Sequence, residues 1–195
     1  MSDYLNLNRF IFNDECPDFT AEEVLSGLGL PTEVIERGDY RREFDAIKKE
    51  ARELIRLTAG AVYFKMPDNS VPPVTSGPGV VGVILTLGTA VTGRSDEFLA
   101  QGEYRKSMIL NEISDFCLIT YEKMIRERLI VLSKRKGMGL LRMYEGQDIP
   151  VSELQYVWNA LMADKNLGVY ITRESTLYPV KTSCFIMKIQ DDADL

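Results

Sequence analysis

The chain has 195 residues, of which 45% are hydrophobic and 27% charged, a balance typical of one globular domain with a sizeable core. Its formal net charge of -6 gives an acidic surface that repels phosphate backbones, which argues against nucleic acid as a partner. The sequence contains no histidine, which excludes the commonest general base, the usual zinc ligand and every Ser-His or Cys-His nucleophile pair.

The cysteines and the hydropathy pattern bear on the cellular compartment. Cys16, Cys117 and Cys184 are odd in number, far apart and without a CxxC pair, as expected of thiols in a reducing compartment. There is no run of about 18 apolar residues that could span a membrane. The first residues lack the basic and apolar segments of a signal peptide. We therefore expect a cytoplasmic protein without a membrane segment or a metal site.

The first half of the chain is predicted to mix strands and helices. Thr20 and Glu23 form a capping-box pattern that begins a short helix. The run from Val80 to Leu87 is β-branched and bounded by glycines, which predicts a central strand buried on both faces. The predicted elements are an edge strand over 4–12, a short helix after Thr20, a helix over 40–57, a strand over 61–65, a loop over 67–79 and a strand over 80–87.

The second half begins with the longest helical pattern, over residues 104–132. The predicted apolar stripe of this helix is Ile109, Ile113, Phe116, Thr120 and Met124, with Leu110, Cys117 and Tyr121 beside it. Met108 and Met124 are interpreted as core residues rather than as part of a cofactor site. The elements that follow are an extended segment over 139–144, a helix after a capping box at Ser152–Gln155, and strands over 168–172 and 183–189.

Several segments of the last third follow one another in an informative order. Arg142-Met143-Tyr144-Glu145-Gly146 precedes a helix, then Lys165-x-x-Gly168-x-x-Ile171-Thr172, then a loop that ends at Pro179. This order resembles the S-adenosylmethionine-binding activation domain of cobalamin-dependent methionine synthase. That family has an Arg-x-x-x-Gly-Tyr turn, a helix, a Lys-x-x-Gly-x-x-(Leu/Ile)-Thr segment and a loop ending in proline. Weaker similarity in the segments 22–29 and 85–91 extends the resemblance to about residues 20–189.

The resemblance implies an α+β fold with a twisted, mostly antiparallel sheet and helices packed on it. From the residues alone, only a mixture of helices and strands can be predicted. We expect a single domain over residues 1–195, in which 1–19 form an N-terminal extension and 190–195 an acidic tail.

The resemblance also implies a function. In that family the domain binds S-adenosylmethionine and presents its methyl group to a corrinoid on another domain or protein. Inactive cob(II)alamin is reduced there by a flavodoxin-like donor and trapped by methylation. This chain would then be an accessory domain for reactivation of a partner corrinoid (B12) protein or cobalamin-dependent methyltransferase. It would be part of a methyltransferase system without a catalytic residue of its own.

Carried over to this sequence, the family's motif supplies six candidate ligand-binding residues. Arg142 would hold the ligand's carboxylate, Gly146 would let the backbone approach the ligand, and the loop from Glu174 to Pro179 would form a wall of the site. The candidates are Arg142, Tyr144, Gly146, Gln147, Glu174 and Tyr178. The alternative is that Arg142 pairs with a surface carboxylate and Gly146 only makes a turn.

One departure from the family favours a different function. Where the family's turn continues Gly-Tyr, this chain has Gly146-Gln147, and Tyr144 is the candidate substitute for the missing tyrosine. A protein that kept the fold but lost the ligand would serve as a structural or docking subunit of a corrinoid methyltransferase system.

Overall fold

A five-stranded antiparallel sheet organises the computed structural model, which describes residues 9–25, 31, 33, 38–64, 79–135, 140–143 and 151–190. For residues 64, 140–143, 152 and 190 it describes the main chain. The strands are β1 (Arg9–Asp14), β2 (Leu57–Phe64), β3 (Val80–Thr86), β4 (Leu140–Met143), β5 (Tyr170–Ile171), β6 (Leu177–Tyr178) and β7 (Thr182–Gln190). The sheet has the order β1-β2-β3-β7-β4, and β5 and β6 form a separate hairpin.

The described helices differ greatly in length. They are α1 (Ala21–Leu25), α2 (Gly38–Leu54), α3 (Ala90–Ala100), α4 (Tyr104–Arg135), α5 (Val151–Leu161) and α6 (Ala163–Asn166). With every strand pairing of the sheet antiparallel and helices packed on it, the predicted α+β class is confirmed. No helix in the described ranges is long and apolar enough to cross a bilayer.

The central position of β3 follows from its sequence. All seven of its residues are buried, and it pairs with β2 on one side and with β7 on the other. A strand of β-branched apolar residues is stable when both of its faces are buried. The strands on either side form its backbone hydrogen bonds, so burial leaves no backbone polar group unpaired. The predicted central strand is therefore confirmed. The predicted edge strand is confirmed as β1, although it runs from Arg9 to Asp14.

Side chains alternate between the two faces of the sheet, and each face has its own core. Val83, Leu85 and Phe185 pack in one cluster with residues of α1 to α4. Ile84 and Ile186 pack in a second cluster with α5, α6 and Val169. The helices therefore cover both faces, and α5 stands on the same face as the β5–β6 hairpin.

Glycines in the sheet allow α5 to lie very close to it. A Cβ atom at Gly82 would come within 2.5 Å of Val157 Cγ2, and a Cβ atom at Gly60 within 3.1 Å of Leu161 Cδ2. Val157 and Leu161 are one helical turn apart and both are buried, so they define the face that α5 turns toward the sheet.

The long helix α4 spans the predicted segment, and its buried side includes part of the predicted stripe and the residues predicted beside it. Ile109 and Ile113 are buried as expected, and so are the residues predicted beside them, Leu110, Cys117 and Tyr121, whereas Phe116, Thr120 and Met124 are only partly buried and Met108 is 51% exposed. The side chains that pack inward include an i, i+4 row: Ile109, Ile113, Cys117, Tyr121, Ile125 and Leu129. The Tyr121 hydroxyl group also donates to the Phe12 carbonyl oxygen at 3.3 Å, which joins α4 to β1.

Two predicted helix starts have different outcomes. The first capping box is confirmed, since the Glu23 amide donates to Thr20 Oγ1 at 3.2 Å and the Thr20 amide donates to Glu23 Oε2 at 2.7 Å. The second is wrong, because α5 begins at Val151 and Ser152 lies within its first turn. Pro150 precedes Val151 directly, and proline favours the start of a helix. Residues 67–78 of the predicted loop lie outside the described residues.

Candidate functional site

An open groove of about 470 Å³ lies where α5, the β5–β6 hairpin and β7 meet. The lining residues that the structure describes are apolar or carry a hydroxyl or thiol group: Leu154, Thr176, Leu177, Val180, Thr182 and Cys184. The volume falls within the range of small-molecule sites, which is roughly 300–1,000 Å³. The groove is therefore large enough for a small amphipathic ligand.

Main-chain and side-chain hydrogen bonds hold the hairpin in shape. The Thr172 amide donates to the Thr176 carbonyl oxygen at 2.8 Å, and the Ser175 amide donates to the Thr172 carbonyl oxygen at 3.0 Å. Ser175 takes up a left-handed backbone conformation with a φ of 63°, which closes the turn. Trp158 of α5 donates its indole N–H to the Val169 carbonyl oxygen at 2.7 Å. This bond attaches the start of the hairpin to α5, so two walls of the groove are held together.

The polar groups of the groove are better suited to binding a ligand than to catalysing a reaction. Thr182 Oγ1 donates to Thr86 Oγ1 at 2.9 Å, which leaves its oxygen able to accept a hydrogen bond from a ligand. Burial raises the pKa of the Cys184 thiol to about 12, so this thiol is neutral near pH 7 and is a poor nucleophile. The lining residues that the structure describes therefore include no ionised acid, base or nucleophile, and they offer an apolar surface with hydroxyl groups.

Two of the predicted site residues lie on the hairpin. Glu174 is exposed in its turn, and Tyr178 is 46% exposed and paired with Tyr170 across the two strands. Leu177 lines the groove, and neighbouring side chains of a strand point to opposite faces. Tyr178 therefore lies beside the groove on the other face of the hairpin, and its contact with a ligand stays a prediction.

The other four predicted site residues precede α5. The main chain of Arg142 lies in β4 opposite Lys188 of β7. Lys188 is four residues along β7 from Cys184 of the groove, a distance of about 13 Å at 3.3 Å per residue. A ligand that contacts both places would have to extend along β7. Tyr144, Gly146 and Gln147 lie outside the described residues, so their roles stay predictions.

A buried carboxyl group in α5 was missed by the sequence analysis. Glu153 of α5 is only 6% exposed, and within the described part of the chain neither of its oxygens has a hydrogen-bond partner. Burial raises the pKa of Glu153 above its ordinary value, and the positive charge of Lys188 opposes this shift. Its spacing was the available signal, because Glu153 is four residues before Val157 and eight before Leu161, on the face that packs against the sheet.

Glu153→Gln is expected to stabilise the protein at alkaline pH. Since the pKa of Glu153 is raised on folding, the native state binds this proton more tightly, and stability falls as the pH rises above the ordinary value of a carboxyl group. We expect the free energy of unfolding to increase by about 1 kcal/mol near pH 8 and to change little near pH ~3, where the carboxyl group is mostly protonated in both states.

Urea unfolding at both pH values measures this effect, with Glu174→Gln in the exposed turn as the control. The control is expected to stay within about 0.5 kcal/mol of the wild type. A loss of stability in Glu153→Gln near pH 8 would mean that the carboxylate accepts hydrogen bonds in the folded protein.

The fold is similar to a known one, although sequence comparison finds no relative. No protein-family model matches the chain, and no curated protein sequence does. A crystal structure of the MetH reactivation domain bound to AdoHcy superposes with a TM-score of 0.62 at 10% sequence identity. The superposition covers 94% of this chain and 79% of that domain. The two proteins therefore share a fold, and it is the fold that the sequence resemblance predicted.

Proposed function

We propose that this protein is an S-adenosylmethionine-binding accessory domain that supports reductive methylation of a partner corrinoid protein in the cytoplasm. The observation that carries the proposal is the likeness, over 94% of the chain, to a domain whose crystal structure holds AdoHcy. AdoHcy is what remains of S-adenosylmethionine after methyl transfer, so a site for one is shaped for most of the other.

The groove between α5, the hairpin and β7 fits such a ligand. S-Adenosylmethionine joins an adenine ring and an aliphatic chain to ribose hydroxyl groups and a zwitterionic end. Leu154, Leu177 and Val180 offer apolar surface to the ring, and Thr176 and Thr182 offer hydroxyl groups to the ribose. The site thus provides shape and hydrogen bonds, as a binding domain requires.

Arg142 would hold the charged end of the ligand. A guanidinium group binds a carboxylate through two parallel hydrogen bonds, which fixes orientation as well as position. Since the main chain of Arg142 lies opposite Lys188, a ligand bound both there and in the groove would lie along β7. Tyr144, Gly146 and Gln147 follow Arg142 in the sequence and would complete the turn around that end.

The residues of this chain would bind and orient, and they need not transfer a proton or an electron. A corrinoid bound to the partner would supply the metal that accepts the methyl group, and a flavodoxin-like protein would supply the electron. Holding the sulfonium methyl group in a fixed position would convert a bimolecular encounter into an effectively unimolecular reaction. The neutral thiol of Cys184 is consistent with this role, because a thiolate there could compete for the methyl group.

A docking subunit without the ligand is the second candidate. Hydrophobic side chains on and beside the hairpin are exposed, Tyr170 at 53%, Tyr178 at 46% and Val180 at 66%. Exposed apolar surface of this kind is typical of protein contacts. The Gly146-Gln147 departure favours this candidate too. In both candidates a corrinoid protein or methyltransferase is the partner, so only ligand binding separates them.

Titration with S-adenosylmethionine and with AdoHcy by calorimetry distinguishes the two candidates. The accessory domain is expected to bind each ligand saturably with one site per chain, because the two differ only by the methyl group and its charge. An absence of heat at millimolar ligand would exclude the ligand and leave the docking subunit. A pull-down with a cobalamin-loaded corrinoid protein then tests the partner that both candidates share.

A further inference from the structure

Two cysteines that are 101 residues apart in the sequence meet between the N-terminal segment and α4. Cys16 follows β1, and Cys117 lies in the middle of α4. Their Sγ atoms are 3.4 Å apart. Cys117 is fully buried, whereas Cys16 is partly exposed to solvent. The pair therefore combines one thiol that a small reagent can reach with a second thiol directly behind it.

Two positive side chains of α2 lie near enough to the reachable thiol for their charges to act on it. Lys48 and Arg52 share Asp18, with Nζ and Nη2 at 2.9 Å and 3.5 Å from its Oδ1 atom. The hydrogen bond that Cys16 shares with Cys117, together with the charges of Arg52 and Lys48, holds the pKa of Cys16 below its ordinary value, against the effects of burial and of the Asp18 carboxylate. The same hydrogen bond and burial raise the pKa of Cys117. Cys16 is thus the thiol that ionises first and reacts first.

We propose that Cys16 and Cys117 are an oxidation site at which a hydroperoxide forms an intramolecular disulfide. The bond needs the sulfur atoms to approach by about 1.3 Å, from contact to the disulfide length of about 2.05 Å. Cys184 is on β7, packs beside the second core cluster and takes no part. The disulfide would tie the segment after the edge strand β1 to α4, and it does not depend on any ligand of the groove.

The chemistry balances with hydrogen peroxide as the oxidant. The Cys16 thiolate attacks one peroxide oxygen, the O–O bond breaks, and a sulfenic acid and hydroxide form. The Cys117 sulfur then attacks Cys16 Sγ, expels the sulfenic hydroxyl group and gives up its proton, so that water leaves. In sum, two thiols lose two electrons and two protons, and one peroxide becomes two waters.

Thiol counting on the whole protein tests the proposal. After treatment with hydrogen peroxide and removal of the excess, free thiols are titrated in denaturant, and the intact mass and the proteolytic peptides are measured. We expect the three thiols of the chain to fall to one, the mass to fall by two hydrogen atoms, and one cross-linked peptide pair to contain Cys16 and Cys117. A reductant should restore all the thiols.

Two variants make the result specific. Cys184→Ser should form the same disulfide and fall to no free thiol, while Cys117→Ser should stop at a Cys16 sulfenic acid that dimedone labels. Three thiols persisting after treatment, or a cross-link that contains Cys184, would overturn the proposal. So would oxidation of Cys16 to the sulfinic acid in the wild type without a cross-link to Cys117, because the second thiol would then not be in reach.

Discussion

Arg142→Ala is expected to weaken the binding of S-adenosylmethionine by roughly 10–100-fold. A hydrogen-bonded pair of charged groups contributes about 1.5–3 kcal/mol, and each 1.4 kcal/mol is about tenfold in the dissociation constant. In the proposed site Arg142 binds the carboxylate of the ligand, so removal of the Arg142 side chain leaves that carboxylate without a partner. Calorimetric titration of the purified variant measures the change.

The matched control is Arg42→Ala, which removes an exposed arginine of α2 whose side chain donates to the Gly38 carbonyl oxygen. The control is expected to bind as the wild type does, because α2 packs in the cluster on the other face of the sheet. Arg142→Lys is expected to recover part of the affinity, since lysine keeps the charge without the paired donors. If the wild type binds and Arg142→Ala binds equally well, Arg142 is a surface residue.

Gly82→Ala is expected to lower the free energy of unfolding by about 2 kcal/mol. The new Cβ atom would lie 2.5 Å from Val157 Cγ2 and 2.9 Å from Val157 Cγ1. Valine is stiff about χ1, so the clash cannot be relieved by a small rotation, and α5 has to move away from the sheet. Since α5 carries Leu154 and Trp158, the same displacement should open the groove. Urea unfolding measures the loss of stability, and calorimetry measures the effect on ligand binding.

Gly93→Ala is the control, because nothing lies within 4 Å of a Cβ atom there. Gly93 is inside α3, so alanine should stabilise the protein by about 0.5–1 kcal/mol. The double variant Gly82→Ala with Val157→Ala should be more stable than the sum of the two single changes implies. Alanine at position 157 lacks the two methyl groups with which the new Cβ atom would clash. Unchanged stability in Gly82→Ala would contradict the close approach of α5.

Local patterns made much of the fold predictable from the sequence. The apolar run of β3 and the Thr20–Glu23 capping box depend on neighbouring residues, and both were found where they were expected. The buried side of α4 was only partly predictable from its own sequence. Apolar residues occur on more than one side of that helix, and the side that is buried depends on contacts with other elements, such as the hydrogen bond from Tyr121 to Phe12.

The candidate site was less predictable, because it is assembled from segments far apart in the sequence. Leu154 stood out in the apolar stripe of α5, but its meeting with Cys184 depends on the pairing of β7 with β3 and β4. Glu153 was missed because a charged residue is ordinarily assigned to the solvated face of a helix. The periodicity of apolar residues predicts single helices and strands, but it does not determine the order of strands in a sheet. The antiparallel sheet was therefore predicted from the family resemblance.

The central claim is tested most directly by locating the surface of the molecule to which S-adenosylmethionine binds. Methyl-labelled protein is titrated with the ligand, and the NMR signals of Leu154, Leu177 and Val180 are followed beside that of Leu129, which packs on the other face of the sheet. We predict that the three groove signals shift saturably, with the dissociation constant found by calorimetry, while Leu129 stays unchanged. Unchanged groove signals under saturating ligand would contradict the account, as would shifts confined to the face of Leu129.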